Sequence, residues 1–249
     1  MIIFRKDLYP FTTENISGYI NNMNLENKSL LTLGSSLDQA YNALVLGASK
    51  IDVFDINVNV EDYHNLKSNL ILNTPRKDFY DRILSSNYFN DEVISSRESV
   101  YKYNLYLHND YNYELLREQL RNNKISIING NIFDAKDSLN NKLYDRIILS
   151  NVLQYLELYS IDKDKYDVLK ETFSTLKNHL NTEGILQLLY YYNTSLINSY
   201  GLDDFFDGYN LNKVLNTLYD DLDDITRFRL LEFDSGYDSH DAVVLYKKR

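Results

Sequence analysis

The most regular alternation of apolar and polar positions lies between residues 29 and 57, and it predicts a strand, a turn, a helix and a second strand. Apolar residues at 30–33 predict the first strand, which stops at the small residues 34–36. A helical pattern follows and ends at Gly47, because glycine is favoured just beyond a helix C-terminus. The second strand, at 51–55, ends in a carboxylate. A β-α-β unit of about 30 residues with turn residues at these positions is typical of doubly wound folds that bind a nucleoside.

Five further apolar segments predict strands. They lie at 125–128, 144–151, 185–190, 229–233 and 242–246. The fourth strand has a continuous apolar core, as expected for a parallel strand that is covered on both faces. A short turn joins the last two segments, so they form an antiparallel pair. The sequence therefore predicts an α/β fold with a doubly wound, mostly parallel sheet of about seven strands and an antiparallel C-terminal strand pair.

The same pattern predicts a single domain over residues 1–249 with two additions. Residues 1–28 predict an N-terminal helical lid that closes over the ligand. Residues 76–122 predict a helical insertion between the second and third strands, where a minimal fold has a short crossover. The insertion either covers the substrate or only packs against the domain.

Composition excludes several classes of protein. No window approaches the roughly 18 to 20 apolar residues of a membrane span. The N-terminus is charged too early for a signal peptide, and the chain has no cysteine, so a cytoplasmic location is expected. The four histidines show no paired metal-ligand spacing, and no metal site is predicted.

The formal net charge of −10 and the pI of about 4.9 weigh against a nucleic-acid substrate. Lys and Arg supply most of the non-specific affinity for a phosphate backbone, and here they form a run only at 247–249. A small-molecule substrate is therefore expected.

The turn after the first strand narrows the ligand class. A dinucleotide fingerprint needs three glycines, but only Gly34 is present, and Ser36 and Gln39 take the later positions. A pyrophosphate would be poorly bound by such a turn. A ligand with one ribose and no phosphate demands less of it, and Asp55 can accept hydrogen bonds from both ribose hydroxyls.

Ligands of open α/β sheets bind at the carboxyl ends of the strands. The residues at these ends form the candidate site, and they fall at 34–36, 55–57, 131–132 and 150–151. Local roles are also open. Asp55 could only cap the next helix, Asn131 could be a turn residue, and residues 150–151 could form a helix N-cap.

The order of these motifs resembles that of class I S-adenosylmethionine-dependent methyltransferases over most of the chain. The motifs are LTLGSS, VFDIN, NGNIFD, YDRIILSNVLQYLE and EGILQLLYY, followed by the terminal strand pair. The fourth is the most telling, since a Tyr-Asp opening, an apolar strand and a polar end before Leu-Glu are typical of the family. The chain departs from the family at Thr32, where an acidic residue is usual. It also has Ser36 and Asp38 in place of glycines and Asn131 in place of an aspartate.

The resemblance implies a Rossmann-like methyltransferase fold, S-adenosyl-L-methionine as cofactor and methyl transfer to a small molecule. The Gly34 turn would pass under the methionine part, and Asp55 would bind the ribose with help from Asn57. Asn131 would face the adenine amino group, and Ile132 would stack on the ring. The implied cofactor-binding residues are Gly34, Ser35, Ser36, Asp55, Ile56, Asn57, Asn131, Ile132 and Ser150.

Methyl transfer is an in-line displacement at a sulfonium, so positioning of the acceptor can supply most of the catalysis. Ser150 and Asn151 would lie near the sulfonium. Asn151 and Tyr155 are the expected catalytic pocket contacts, with Tyr9 on the lid, although Tyr155 could instead belong to the core.

Residues 33–71 also resemble the betaine-lipid-type 3-amino-3-carboxypropyl transferases, which use the same cofactor. Asp38, residues 55–57 and Leu66-Lys67 occupy comparable places. Three alternatives stay open: a methyltransferase, an amino-carboxypropyl transferase, and a non-catalytic interaction module on the same fold. The acceptor and the oligomeric state are also open.

Overall fold

The computed structural model describes residues 8–86, 95–122, 124–156, 164–196, 211–219, 227–236 and 239–249. The strands are β1 Ser29–Leu33, β2 Lys50–Asp55, β3 Ile125–Asn129, β4 Tyr144–Ile148, β5 Leu180–Tyr191, β6 Phe228–Asp234 and β7 His240–Lys247. They form a seven-stranded sheet in the order β3-β2-β1-β4-β5-β7-β6. β1, β2 and β3 pair in parallel, as do β4 and β5, whereas β7 is antiparallel to β5 and β6. The predicted fold class is confirmed.

Helices flank these strands. They are α1 Ile16–Tyr19, α2 Asp38–Val45, α3 Val60–Asn73, α4 Arg76–Leu84, α5 Arg97–Tyr103, α6 Leu105–His108, α7 Asp110–Arg121, α8 Lys165–Asn178 and α9 Leu211–Tyr219. Short 3₁₀ helices occupy Ile20–Met23, Ile132–Asp134, Val152–Tyr155 and Thr194–Leu196. No helix within the described ranges is both long and apolar enough to cross a membrane.

The chain divides into two compact units, residues 1–130 and 131–249. In the first unit, α1 packs on α2 and α5, and its apolar side chains are fully buried. We call residues 8–28 the N-terminal segment. Phe11 of this segment stacks on Tyr80 of α4, with ring centroids 5.5 Å apart. The segment is therefore part of the packed core, and its predicted closure over a ligand stays a prediction.

The predicted insertion is helical in its described part, where it contains α4, α5, α6 and α7. α6 and α7 pack on α2, and α7 also packs on α3. Arg117 of α7 donates hydrogen bonds to the carbonyls of Ile71 and Thr74, at 2.7 and 2.5 Å. The insertion thereby satisfies carbonyl groups at the C-terminal end of α3, which have no partner within the helix itself.

In the second unit, α8 packs on β5 and on α9. β5 begins at Leu180, earlier than the predicted strand at 185–190. Its pairing with β4 shifts register, because Tyr144 lies opposite Leu180 and Arg146 lies opposite Ile185. The residues between Leu180 and Ile185 are thus an irregularity within the strand.

Candidate functional site

The turn after β1 is tight and conformationally strained. The Leu37 N–H donates to the Gly34 carbonyl at 2.5 Å. Ser35 and Leu37 have φ angles of 30° and 67°. Non-glycine residues in this left-handed region cost roughly 1–2 kcal/mol each. Contacts outside the turn must therefore hold it in place.

Gly34 is required by the close approach of Asp55. A Cβ atom at Gly34 would lie 2.5 Å from Asp55 Oδ2, 2.7 Å from Asp55 Cβ and 2.7 Å from Val60 Cγ2. No real side chain tolerates such contacts. The one glycine of the motif therefore serves the approach of β1 to the acidic residue at the end of β2.

Backbone amides hold the carboxylate of Asp55. Its Oδ2 accepts the Ser35 N–H at 2.6 Å, and its Oδ1 accepts the Asn57 N–H at 2.7 Å. Burial raises the pKa of Asp55, and the backbone hydrogen bonds from Asn57, Ser35 and Ile56 oppose this rise. A carboxylate has about four acceptor sites, so the group keeps capacity to accept a ligand hydroxyl. The structure thus brings the predicted residues 34, 35, 55 and 57 together.

The loop after β2 is ordered by its own side chains. Asn57 Oδ1 accepts the Asn59 N–H at 2.9 Å, just before α3 begins. Asn129, which is the register partner of Asp55 on β3, donates its side-chain amide to the Asp55 carbonyl at 3.1 Å. Sequence reasoning missed Asn129 because it placed the polar end of the third strand at 131–132.

Ser36, a predicted cofactor contact, is fully buried. Its hydroxyl accepts the Asp38 N–H at 3.3 Å, and its carbonyl accepts Lys67 Nζ at 2.7 Å. The hydroxyl and carbonyl groups of Ser36 therefore form hydrogen bonds with buried groups of the protein.

A buried ion pair lies at the start of α2. Lys67 Nζ and Asp38 Oδ1 are 2.7 Å apart, and both side chains are inaccessible to solvent. Asp38 also accepts the Tyr106 hydroxyl at 2.8 Å and the Thr12 N–H at 2.6 Å. Burial lowers the pKa of Lys67, and the charge of Asp38 opposes that change. The only signal in the sequence was the narrower resemblance, which put Asp38 and Lys67 in comparable places.

His64 on α3 lies beside two hydroxyls. Its Nδ1 is 3.1 Å from the Tyr41 hydroxyl and 3.2 Å from Ser68 Oγ. Burial lowers the pKa of His64 to about 4, against an ordinary value of 6.5. The imidazole is therefore neutral in the folded protein at neutral pH.

Acidification is expected to destabilise the protein through His64. The unfolded chain binds a proton at His64 near pH 6.5, whereas the folded form resists it until about pH 4. Stability from this residue is therefore lost as the pH falls through that window, by up to about 3 kcal/mol. Urea unfolding at about pH 7 and about pH 4.5 measures the loss. The loss should be smaller in His64→Gln, and equal losses in the two proteins would contradict the assignment.

The predicted site residues at 131, 132, 150, 151 and 155 belong to the second unit. Asn131 Oδ1 accepts the Phe133 N–H at 3.1 Å, and Ile132 is 5% exposed. Asn131 thus makes the local contact expected of a turn residue. This contact does not test the predicted adenine role, which stays a prediction.

Ser150 follows β4 at a φ of 58° and is held by a buried glutamine of β5. Its N–H donates to Gln187 Oε1 at 2.7 Å, and its carbonyl accepts Gln187 Nε2 at 3.2 Å. Asn151 is the N-cap of the 3₁₀ helix Val152–Tyr155 but makes no side-chain capping bond, and Tyr155 is 40% exposed. Sequence reasoning missed Gln187, which lies inside a predicted strand.

The strand order, with β7 antiparallel at the C-terminal end, is that of the Rossmann-like methyltransferase fold. No protein-family model matches the chain, and no curated protein matches it. Solved structures that are similar to it include methyltransferases.

One similar structure is the N-methyltransferase NodS from Bradyrhizobium japonicum in complex with S-adenosyl-L-homocysteine, at 12% identity and a TM-score of 0.49, covering 98% of this chain and 91% of that one. The rRNA methyltransferase aviRa from Streptomyces viridochromogenes is 12% identical with a TM-score of 0.45, covering 92% and 82%. An O-methyltransferase family protein from Burkholderia thailandensis is 9% identical with a TM-score of 0.44, covering 89% of this chain. The chain spans about half of that protein's length, 51%.

Proposed function

We propose that this protein binds S-adenosyl-L-methionine and transfers its methyl group to a small molecule. The observation that carries the proposal is the carboxylate of Asp55 at the end of β2, fixed by the amides of Ser35 and Asn57. A carboxylate that is oriented before the ligand arrives loses little conformational entropy on binding two vicinal hydroxyls. One ribose without a pyrophosphate also suits a turn that has a single glycine.

The other predicted residues keep their proposed roles. The Gly34 turn passes under the methionine part of the cofactor, Asn131 and Ile132 face the adenine, and Ser150 lies near the reactive end. Asn151 and Tyr155 position the acceptor. The bound cofactor supplies a methyl group on a sulfonium, which is already a good leaving group, so the protein's task is to align the acceptor.

A small acceptor is favoured by electrostatics. The formal net charge is −10, and a surface of this sign repels a phosphate backbone. One of the similar structures is an rRNA methyltransferase, so a nucleic-acid acceptor is the alternative that an activity assay must include.

Alanine at Asp55 is expected to weaken binding of S-adenosyl-L-methionine by about 1–3 kcal/mol, because two ribose hydroxyls lose a buried acceptor. Isothermal titration calorimetry with S-adenosyl-L-methionine and S-adenosyl-L-homocysteine measures the loss. Glu61→Ala is the matched control, since Glu61 is an exposed acid in the first turn of α3. It should bind as the wild type does.

Two results would contradict the proposal. Equal affinity in the wild type and Asp55→Ala would remove the ribose role. Folded wild-type protein, free of copurified nucleoside, that binds neither ligand would favour the non-catalytic interaction module.

Amino-carboxypropyl transfer is the second candidate, because Asp38 and Lys67, which the narrower resemblance aligned, are in contact at 2.7 Å. The products separate the two reactions. Methyl transfer leaves S-adenosylhomocysteine, whereas amino-carboxypropyl transfer leaves methylthioadenosine. Mass spectrometry of the nucleoside product after turnover therefore decides between them.

A further inference from the structure

One ammonium group joins three separate parts of the first unit. Lys67 Nζ donates to the Ser36 carbonyl in the turn at 2.7 Å, to Asp38 at the start of α2 at 2.7 Å, and to the Pro10 carbonyl in the N-terminal segment at 2.9 Å. These three acceptors use the full donor capacity of an ammonium. Lys67 itself belongs to α3, so it links α3 to all three.

Aromatic rings surround this ammonium group, which is inaccessible to solvent. Lys67 Nζ lies 4.9 Å from the ring centroid of Phe11 and 5.6 Å from those of Tyr41 and Tyr63. The Tyr63 hydroxyl also donates to the Pro10 carbonyl, at 2.9 Å. Because the Lys67 and Asp38 side chains are inaccessible to solvent, the cluster acts through the groups that it holds.

The groups it holds define the proposed nucleoside site. Ser36 lies between Ser35 and Leu37, which both have positive φ. Strained residues of this kind persist only where their surroundings over-determine them. Lys67 fixes the carbonyl between them, and the Ser35 amide in turn holds the carboxylate of Asp55.

The same ammonium also retains the N-terminal segment. Pro10 accepts from Lys67, and Thr12 donates to the other oxygen of Asp38 at 2.6 Å. The turn and the N-terminal segment are therefore both held by the Lys67–Asp38 pair. A change that releases one of them from this pair also weakens the contacts of the other.

We infer that Lys67 is a positioning residue for the proposed nucleoside site. Its buried ammonium holds the 34–37 turn in the form that presents Asp55 and couples that form to docking of the N-terminal segment. The inference rests on the proposed function for the identity of the ligand but not for the state of the turn.

The test compares Lys67→Met and the milder Lys67→Gln with Arg117→Met. Arg117 holds the carbonyls of Ile71 and Thr74 at the C-terminal end of α3, so its loss weakens the same helix away from the turn. Three quantities are measured for each protein: urea unfolding, amide hydrogen exchange without ligand, and the Kd for S-adenosyl-L-methionine.

We expect Lys67→Met to accelerate exchange of four amides whose bonds depend on the cluster. They are the amides of Thr12, Ser35, Leu37 and Asp38. If the turn then holds its binding form about a tenth of the time, the Kd rises about tenfold. Lys67→Gln should lie between Lys67→Met and the wild type. Arg117→Met should be less stable than the wild type, but exchange of these amides and the Kd should be unchanged.

Two outcomes would overturn the inference: wild-type exchange at these amides in folded Lys67→Met or Lys67→Gln, or the same exchange and Kd changes in Arg117→Met at equal stability. Absence of nucleoside binding in the wild type would refute the proposed function instead. In that case the exchange comparison alone decides whether Lys67 holds the turn.

Discussion

Replacing Lys67 by methionine is expected to lower the free energy of unfolding by about 3–5 kcal/mol, as for other buried ion pairs that lose one partner. The change leaves Asp38 as a buried carboxylate without a counter-charge, and the carbonyls of Pro10 and Ser36 lose a donor. Tyr106 and Thr12 still donate to Asp38, but neutral donors do not offset the desolvation of a charge. A loss of this size is a large fraction of the stability of a typical protein, about 5–15 kcal/mol.

A double-mutant cycle with Asp38→Asn isolates the ion pair from the other contacts. Each single change leaves one charge buried, whereas the double variant leaves none. The double variant is therefore expected to be clearly more stable than the sum of the two losses predicts. Urea unfolding of the four proteins gives the coupling energy. Additivity within about 0.5 kcal/mol would show that the pair is not coupled.

Replacing Gly34 by alanine is expected to abolish nucleoside binding and to lower stability by about 1–3 kcal/mol, as for an overpacked interior site. The added methyl group would lie 2.5 Å from Asp55 Oδ2 and 2.7 Å from Val60 Cγ2. Either the carboxylate or the turn must move, so the Ser35–Asp55 bond is lost. Calorimetric titration with S-adenosyl-L-methionine reports the first effect, and urea unfolding reports the second.

Gly47→Ala is the matched control. Gly47 has a φ of 82°, so alanine there is strained, but the nearest atoms to an added Cβ lie 3.6 Å away in Glu26. This variant should lose about 1–2 kcal/mol from backbone strain alone. Its Kd should equal that of the wild type. Tight binding by Gly34→Ala would show that the close approach of Gly34 to Asp55 is not needed for the site.

Local pattern was sufficient to place the first two strands and the end of the helix between them. Residues 30–33 and 51–55 were predicted as strands because a strand shows its period within a few residues, and β1 and β2 lie at Ser29–Leu33 and Lys50–Asp55. Gly47 was predicted to end the helix that follows the turn, and it does so with a positive φ. The irregular start of β5 at Leu180 escaped prediction, because a register shift depends on the neighbouring strand.

In the candidate site, too, residues marked by local pattern were predicted and residues defined by contacts between strands were missed. Asp55 was found because a carboxylate at the end of a predicted strand stands out in the sequence. Asn129 was missed because its importance comes from its register with Asp55, which is a relation between two strands. Gln187 was missed because nothing in the sequence of its strand indicates that its side chain binds the backbone of Ser150 on another segment.

The sequence by itself determined the order of strands and helices, the fold class and the acidic residue at the end of β2, since each depends on neighbours within a few positions. Only the tertiary structure decided that Ser36 is turned inward and that Asp38 and Lys67 form a buried pair. Only the structure showed that Gly34 is required by Asp55. The physical reason is distance along the chain. Asp38 and Lys67 are 29 positions apart, and Gly34 and Asp55 are 21 positions apart. Packing of α2, α3, β1 and β2 brings them into contact, and local periodicity cannot predict such contacts.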